Sequence, residues 1–172
     1  MNIIGYIIAC IAIELTPGPN MTWLSILSIT AGKRAGLMAT AGVATGLLTI
    51  GLAAALSAAS LIASSTLAYE VLRWAGVGYL SYLAWGIWQD RSETGTETKI
   101  SDTSFFRMGL ITNLLNPKAA LFYLTIPAQF VTSGSPPLAS LLMLIVIYVA
   151  TATLIHIAIV LFAGQAGKWL TS

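Results

Sequence analysis

The chain has 172 residues, of which 57% are hydrophobic and only 8% are charged. A typical soluble domain is about 25% charged, so this composition predicts a single integral membrane domain. The eight basic residues are scattered, which argues against nucleic-acid binding. The single cysteine, Cys10, and the single histidine, His156, exclude an internal disulfide and a Cys/His metal cluster.

Five apolar spans are predicted, separated by charges or by turn residues. They cover about residues 2–31, 37–63, 67–88, 105–131 and 138–163. The first span contains only one charge, Glu14, and a tight basic turn at Lys33 and Arg34 follows it. Tyrosine and tryptophan mark both ends of the third span, as suits the two headgroup regions.

Residues 90–104 have a different composition, in which charges alternate with serine, threonine and glycine. This pattern predicts a solvated cytoplasmic linker without a core. The linker divides one membrane domain, residues 1–172, into a first repeat of three spans, residues 1–89, and a second repeat of two, residues 105–172.

Spans one and four are each interrupted near the midpoint. As continuous helices their roughly 27–30 residues would measure about 40–45 Å, longer than the roughly 30 Å hydrocarbon core requires. Residues 17–19 read Pro-Gly-Pro, and the interruption in span four runs from Asn113 to Lys118. Proline removes a backbone donor and clashes with the preceding turn. Because hydrocarbon tolerates broken backbone only where protein buries it or it lines a watery cavity, both spans are predicted to be discontinuous helices at a binding site.

The two interruptions indicate an internal repeat, since Pro117 follows Pro17 by 100 residues. A unit of three spans places the next unit upside down in the membrane. The predicted fold is therefore an all-α polytopic membrane protein with an inverted three-plus-three repeat, whose broken first helices point to a transporter's substrate site. The counterpart of span three would occupy about residues 167–189, so five spans are predicted where the repeat calls for six.

Most basic residues fall on one side of the membrane if the turn at Lys33 and Arg34 is cytoplasmic, with Arg73 the only loop cation outside. This orientation places the N-terminus outside. A re-entrant hairpin in the first segment is the alternative, and it would reverse only the N-terminus.

The first break is predicted to suit a zwitterion. One half-helix ends near Leu15 and exposes carbonyl groups, and another begins near Asn20 and exposes amide groups. An ammonium group would meet the first and a carboxylate the second, with Asn20 as the cap of the second half-helix. A purely structural proline kink is the alternative.

Glu14 is a functional candidate because a charge deep in a span costs at least about 2.5–3.5 kcal/mol on insertion scales. It could bind a substrate ammonium, carry a coupling proton, or pair with Lys118 across the two breaks. Asn113 and Asn116 either satisfy the second break or bind substrate. His156 is interpreted as a satisfied interior polar residue, with a proton relay as the alternative.

Two further predictions concern packing and chemistry. Gly42 and Gly46 form a small-x-x-x-small pair, which favours close packing of span two against another helix. No nucleophile, base and orienting group can be assembled from this sequence, so no enzymatic activity is predicted.

Several motifs resemble the LysE/RhtB family of amino-acid exporters. They are Leu15-Thr16-Pro17-Gly18-Pro19-Asn20-Met21, Gly32-Lys33-Arg34-Ala35-Gly36, the run from Thr112 to Phe122 (TNLLNPKAALF), Pro127 and Gln129-Phe130. The resemblance implies export of amino acids or close derivatives, such as basic amino acids, threonine, homoserine or homoserine lactones. It also implies a multi-pass protein of the bacterial inner membrane, without a cofactor and driven by an ion gradient, with H⁺ as the expected ion.

The candidate substrate-binding residues are Glu14, Thr16, Pro17, Gly18, Pro19, Asn20, Asn113, Asn116, Pro117 and Lys118. The expected partners are a small amino acid and membrane lipid. Because family members usually have one span more than is predicted here, a partner chain that supplies the last helix is a further expected partner, with a homo-oligomer as the alternative. The alternative function is that of a truncated or accessory membrane subunit that does not transport.

Overall fold

Six α-helices and a short 3-10 helix form the structure, a computed structural model that describes residues 2–55, 74, 78, 101–130 and 137–170. The elements are α1 (Ile3–Leu15), α2 (Pro19–Thr30), α3 (Gly32–Ala55), α4 (Asp102–Leu114), α5 (Pro117–Thr125), the 3-10 helix Pro127–Phe130, and α6 (Pro137–Leu170). Within these ranges there is no strand, so the predicted helical class is confirmed there.

Among the described residues, two single helices are long and apolar enough to cross a membrane, α3 and the part of α6 from Leu138 to Gly167. The pair α1 and α2 meets the same criterion as one bent span. Large apolar side chains point away from the protein, for example Leu154 at 68% exposure and Phe162 at 79%. These features confirm the helical membrane character of the chain.

Several predictions fall on the undescribed part of the chain. Nearly all of the third span, residues 67–88, and nearly all of the linker, residues 90–104, lie outside the described residues; the exceptions are residues 74, 78 and 101–104. The count of five spans and the inverted repeat therefore remain predictions. At the end of the predicted linker, Ser101 caps α4 by accepting a hydrogen bond from the Ser104 amide at 3.3 Å, so this helix begins slightly earlier than the predicted span.

Both predicted helix breaks are present, and prolines explain their backbone. A residue that precedes proline is held out of the helical region, and Thr16, Gly18 and Asn116 are all extended. Proline then starts the next helix, where its missing N–H costs nothing. This helix-starting role belongs to Pro19 and Pro117, so the structural counterpart of Pro117 is Pro19 and not Pro17.

The bend between α1 and α2 is 60°. An angle of this size redirects the chain without reversing it, which favours a broken span over a re-entrant hairpin.

Helices α3 and α4 pack closely through glycines, and α3 makes its most extensive contacts with α4. A Cβ atom on Gly42 would overlap the backbone of Phe106, and one on Gly109 would overlap the backbone of Ala39. Gly46 faces Asn113 of α4 in the same way. The predicted packing role of Gly42 and Gly46 is thus confirmed, and this contact joins the two halves of the chain.

The basic turn at Lys33 and Arg34 connects three helices at one end of the molecule. Gly32 turns the chain between α2 and α3 with φ of 85°, a left-handed value that suits glycine. Arg34 donates from Nε to both carboxylate oxygens of Asp102 at 3.1 Å, and Lys33 donates to the Gln165 side chain at 2.9 Å. The starts of α3 and α4 and the far end of α6 therefore meet at this end.

We expect Gly42→Ala to lower the free energy of unfolding by about 1–3 kcal/mol, because the added methyl group forces α3 away from α4. Denaturant titration in detergent micelles measures this change. Ala41→Leu is the matched control, since Ala41 is exposed on the neighbouring position of α3. Equal stability of the two variants would contradict the close packing of α3 on α4.

Candidate functional site

The two helix breaks meet at one small cavity of about 10 Å³, which is room for about one water molecule. Residues from α1, α2, α3, α4, α5 and α6 surround it. They are Glu14, Gly18, Asn20, Met21, Leu47, Asn113, Asn116, Lys118, Ala119, Tyr148 and His156. Most of the polar side chains buried in the described part of the chain thus converge at one point.

An amide pair bridges the two halves of the chain at this cavity. Asn20 Nδ2 donates to Asn113 Oδ1 at 2.8 Å, and both side chains are buried. The remaining atoms, Asn20 Oδ1 and Asn113 Nδ2, have no partner in the described part of the chain. If O and N were exchanged in both amides, the free donor and the free acceptor would change places between the two residues. The pair would still have one free donor and one free acceptor. The cavity therefore offers one unused acceptor and one unused donor.

Lys118 connects the second break to the first. Its Nζ donates to the carbonyl oxygen of Thr16 at 2.9 Å, one of the backbone groups that the first break leaves without a helical partner. The backbone of Lys118 is held in turn by Asn116, whose side chain accepts from the Lys118 amide at 3.0 Å as the N-cap of α5. The second break thus supplies a donor for a carbonyl group that the first break releases.

Glu14 is buried against α6, at 5% exposure. The Tyr148 hydroxyl donates to Glu14 Oε1 at 2.5 Å, and His156 Nε2 lies 3.3 Å from Glu14 Oε2. Both partners are themselves almost fully buried. A deep carboxylate is expensive in a span, and these two contacts compensate for part of that cost.

An aromatic cluster fixes the position of the Tyr148 hydroxyl. The ring of Tyr148 stacks on Phe122 with centroids 3.7 Å apart, and Tyr123 meets it edge-on at 5.2 Å. Tyr6 of α1 also contacts Phe122, with centroids 6.1 Å apart. Edge-to-face contacts such as that between Tyr123 and Tyr148 are favourable, so the hydroxyl that contacts Glu14 belongs to a packed aromatic cluster.

The structure brings six of the ten candidate residues to the cavity: Glu14, Gly18, Asn20, Asn113, Asn116 and Lys118. The other four, Thr16, Pro17, Pro19 and Pro117, shape the breaks without lining it. Thr16 contributes its carbonyl to Lys118. The assignment of all ten to substrate binding remains a prediction.

Three expectations about individual side chains differ from the structure. Asn20 does not cap α2, because Gly18 occupies the cap position without a side-chain bond and Asn20 turns inward to Asn113. Within the described residues, Glu14 contacts α6 and not Lys118. His156 is interior but is not satisfied, since neither of its ring nitrogens has a hydrogen-bond partner there.

Sequence reasoning did not single out Tyr148 and gave His156 a minor role. A signal for both was present: Tyr148 and His156 lie eight residues apart, about two helical turns, so they share one face of an otherwise apolar helix. No group of three metal-ligating side chains occurs among the residues that the structure describes.

Comparison with known proteins agrees with this architecture. Residues 11–172 match the family described as LysE type translocator. The chain belongs to this family. Proteins named leucine efflux protein from Salmonella choleraesuis (strain SC-B67), Salmonella paratyphi A (strain ATCC 9150 / SARB42) and Salmonella typhimurium are each 31% identical to it over 140 residues.

The matches to these leucine efflux proteins cover 79% of this LysE-family chain and 66% of each relative. The chain therefore spans slightly less than two thirds of their length. No solved structure matches it significantly. The family assignment confirms the predicted resemblance and the predicted class of membrane translocator.

We expect the variants Asn20→Leu and Asn113→Leu each to lower the free energy of unfolding by about 1–3 kcal/mol, because each leaves a buried amide without its partner. In the double variant both amides are gone, so the loss is smaller than the sum of the two by about 0.5–3 kcal/mol. Unfolding in mixed micelles measures this double-mutant cycle. Strictly additive losses would contradict the bridge between the two breaks.

Proposed function

We propose that this protein exports amino acids across the bacterial inner membrane, with leucine and similar aliphatic amino acids as the preferred substrates. The observation that carries the proposal is the cavity between the two broken helices, where an unused buried donor, an unused buried acceptor, a carboxylate and a lysine converge. The motifs suggest basic amino acids, threonine, homoserine and homoserine lactones as substrates. The relatives are named leucine efflux proteins, so leucine is a further candidate.

The charges around the cavity suit the two ends of a zwitterion. Glu14 and the free Asn20 oxygen attract an ammonium group, whereas Lys118 and the free Asn113 amide donor attract a carboxylate. The amino end of α5 lies beside Lys118 and adds a partial positive charge. Discontinuous helices that present such ends to a substrate are typical of secondary transporters.

An apolar groove next to Lys118 favours an aliphatic side chain. The groove has a volume of about 420 Å³, within the range of roughly 300–1,000 Å³ that is common for small-molecule sites. Its lining from α1 and α5 consists of Ile13, Pro117, Lys118, Leu121, Phe122, Thr125 and Ile126. A leucine held by its carboxylate at Lys118 can extend its side chain along this groove.

The cavity must widen for transport, because about 10 Å³ is far below the volume of an amino acid site. The two breaks are the natural hinges for this motion, since a helix interrupted by proline lacks the hydrogen bonds that stiffen it. We assign Thr16 to Pro19 and Leu115 to Pro117 as hinges of an alternating-access cycle in an inverted repeat. An ion gradient, with H⁺ as the ion, would supply the free energy.

Efflux of labelled amino acids from proteoliposomes tests this function. We expect leucine to be exported faster than threonine, homoserine or lysine, because the groove is apolar. Lys118→Met retains the apolar stem and should weaken leucine affinity about tenfold or more, as expected for a lost hydrogen bond to a charged group.

Lys33→Met is the matched control, since it removes one positive charge at the basic end of the molecule, away from the cavity. It should behave like the unmodified protein. Equal loss in both variants would show that Lys118 has no special role. Absence of export of every amino acid by folded protein would favour an accessory subunit instead.

A further inference from the structure

The cluster of Glu14, Tyr148 and His156 contains more ionisable groups than are needed to orient a substrate. We propose that these three residues form the proton-binding site of the exporter, and that a proton and the substrate's ammonium group compete for Glu14. This inference rests on the proposed function, and it assigns the coupling step to named atoms.

The proposal starts from the negative charge of the buried Glu14 carboxylate. A buried carboxylate needs a positive partner, and in this cavity two kinds of partner can reach Glu14. One is a protonated His156, whose Nε2 is already 3.3 Å from Glu14 Oε2. The other is the ammonium group of a substrate in the same cavity. If only one of them is present at a time, the site exchanges a proton for an amino acid.

The geometry of His156 indicates where the proton binds. A neutral imidazole that directs Nε2–H towards Glu14 keeps its acceptor lone pair on Nδ1. Neither Nδ1 nor Nε2 has a hydrogen-bond partner in the described part of the chain, although the ring is buried at 2% exposure and Nε2 lies 3.3 Å from Glu14 Oε2. A proton that enters through the cavity can therefore add to Nδ1 without breaking an existing hydrogen bond.

The other ionisable groups around Glu14 are less suited to this role. Cys10 lies one turn earlier on α1, and Tyr123 and Lys118 approach from α5. Lys118 is already engaged by the Thr16 carbonyl and carries the charge that suits a carboxylate. The Tyr148 hydroxyl donates a hydrogen bond to Glu14, so its role is to position the carboxylate. His156 is the remaining base in contact with Glu14.

The resulting cycle balances. With the site open to the outside, the amino acid leaves and one proton from the external water binds His156, which becomes an imidazolium paired with the Glu14 carboxylate. With the site open to the cytoplasm, the ammonium group of the next amino acid replaces the imidazolium as the partner of Glu14, and the proton returns to water. One proton enters for each amino acid exported, and no covalent bond of the substrate changes.

Leucine binding to the purified protein tests this competition between about pH 5 and pH 8, where a histidine changes charge. Direct competition with one proton predicts that the apparent Kd falls up to tenfold for each unit that the pH rises. Glu14→Gln retains the shape and a hydrogen-bond acceptor but not the charge. In that variant leucine should bind more weakly and the pH dependence should vanish.

Two tyrosine variants separate positioning from general packing. Tyr148→Phe removes the hydrogen bond to Glu14 and should displace the pH at which leucine binding changes. Tyr123→Phe is the matched control, since its hydroxyl is buried in the same aromatic cluster but has no partner in the described residues. It should leave the pH profile in place.

The single histidine of the chain gives a readout that needs no substrate. In protein labelled with ¹⁵N-histidine, the two ring nitrogens of His156 should respond to pH, and the addition of leucine at a fixed pH should shift the signals towards those of the neutral ring. Glu14→Gln should abolish the effect of leucine.

Each failure has a distinct meaning. Leucine binding that is independent of pH, or a pH dependence that survives in Glu14→Gln, would overturn the competition and leave the proposed export intact. If folded protein binds no amino acid, the proposed function fails and the competition fails with it. Ring nitrogens that ignore pH would overturn the proton site whatever the binding assay shows.

Discussion

Backbone groups that a proline break releases must find partners inside the protein when the surroundings are hydrocarbon. In this chain the second break supplies a partner for the first. The carbonyl of Thr16 in the first break accepts from Lys118 of the second, and the side-chain amide of Asn20 beside the first break donates to the side chain of Asn113 beside the second. These two contacts hold interruptions that are far apart in sequence at one point, where polar side chains converge on one cavity.

The same arrangement brings energetically unfavourable buried polar groups together at the cavity. The free ends of the amide pair and both ring nitrogens of His156 are buried without hydrogen-bond partners in the described residues, and such groups are costly. Close packing of α3 on α4 through glycines, together with the aromatic cluster around Tyr148, supplies the packing that holds them in place. The site therefore combines a small volume with unused polar groups of both kinds, as the proposed binding of an amino acid requires.

Sequence alone predicted much of this architecture, because prolines, glycines and charges act locally. The breaks at Pro17–Pro19 and near Pro117 follow from proline geometry, and the role of Gly42 follows from its spacing. The partner of Glu14 did not follow, since contact between α1 and α6 depends on tertiary packing that no local pattern encodes. Asn20 was predicted as a cap for the same reason: its inward turn depends on Asn113 across the cavity.

The central claim is that one amino acid binds between the two broken helices. An experimentally determined structure of the protein in lipid nanodiscs with saturating leucine tests it most directly. The account predicts ligand density between the two breaks, with the carboxylate at Lys118 and Asn113, the ammonium group at Glu14, and a cavity wider than the present one of about 10 Å³. Leucine bound elsewhere, or unchanged breaks around an empty cavity at saturating leucine, would contradict the account.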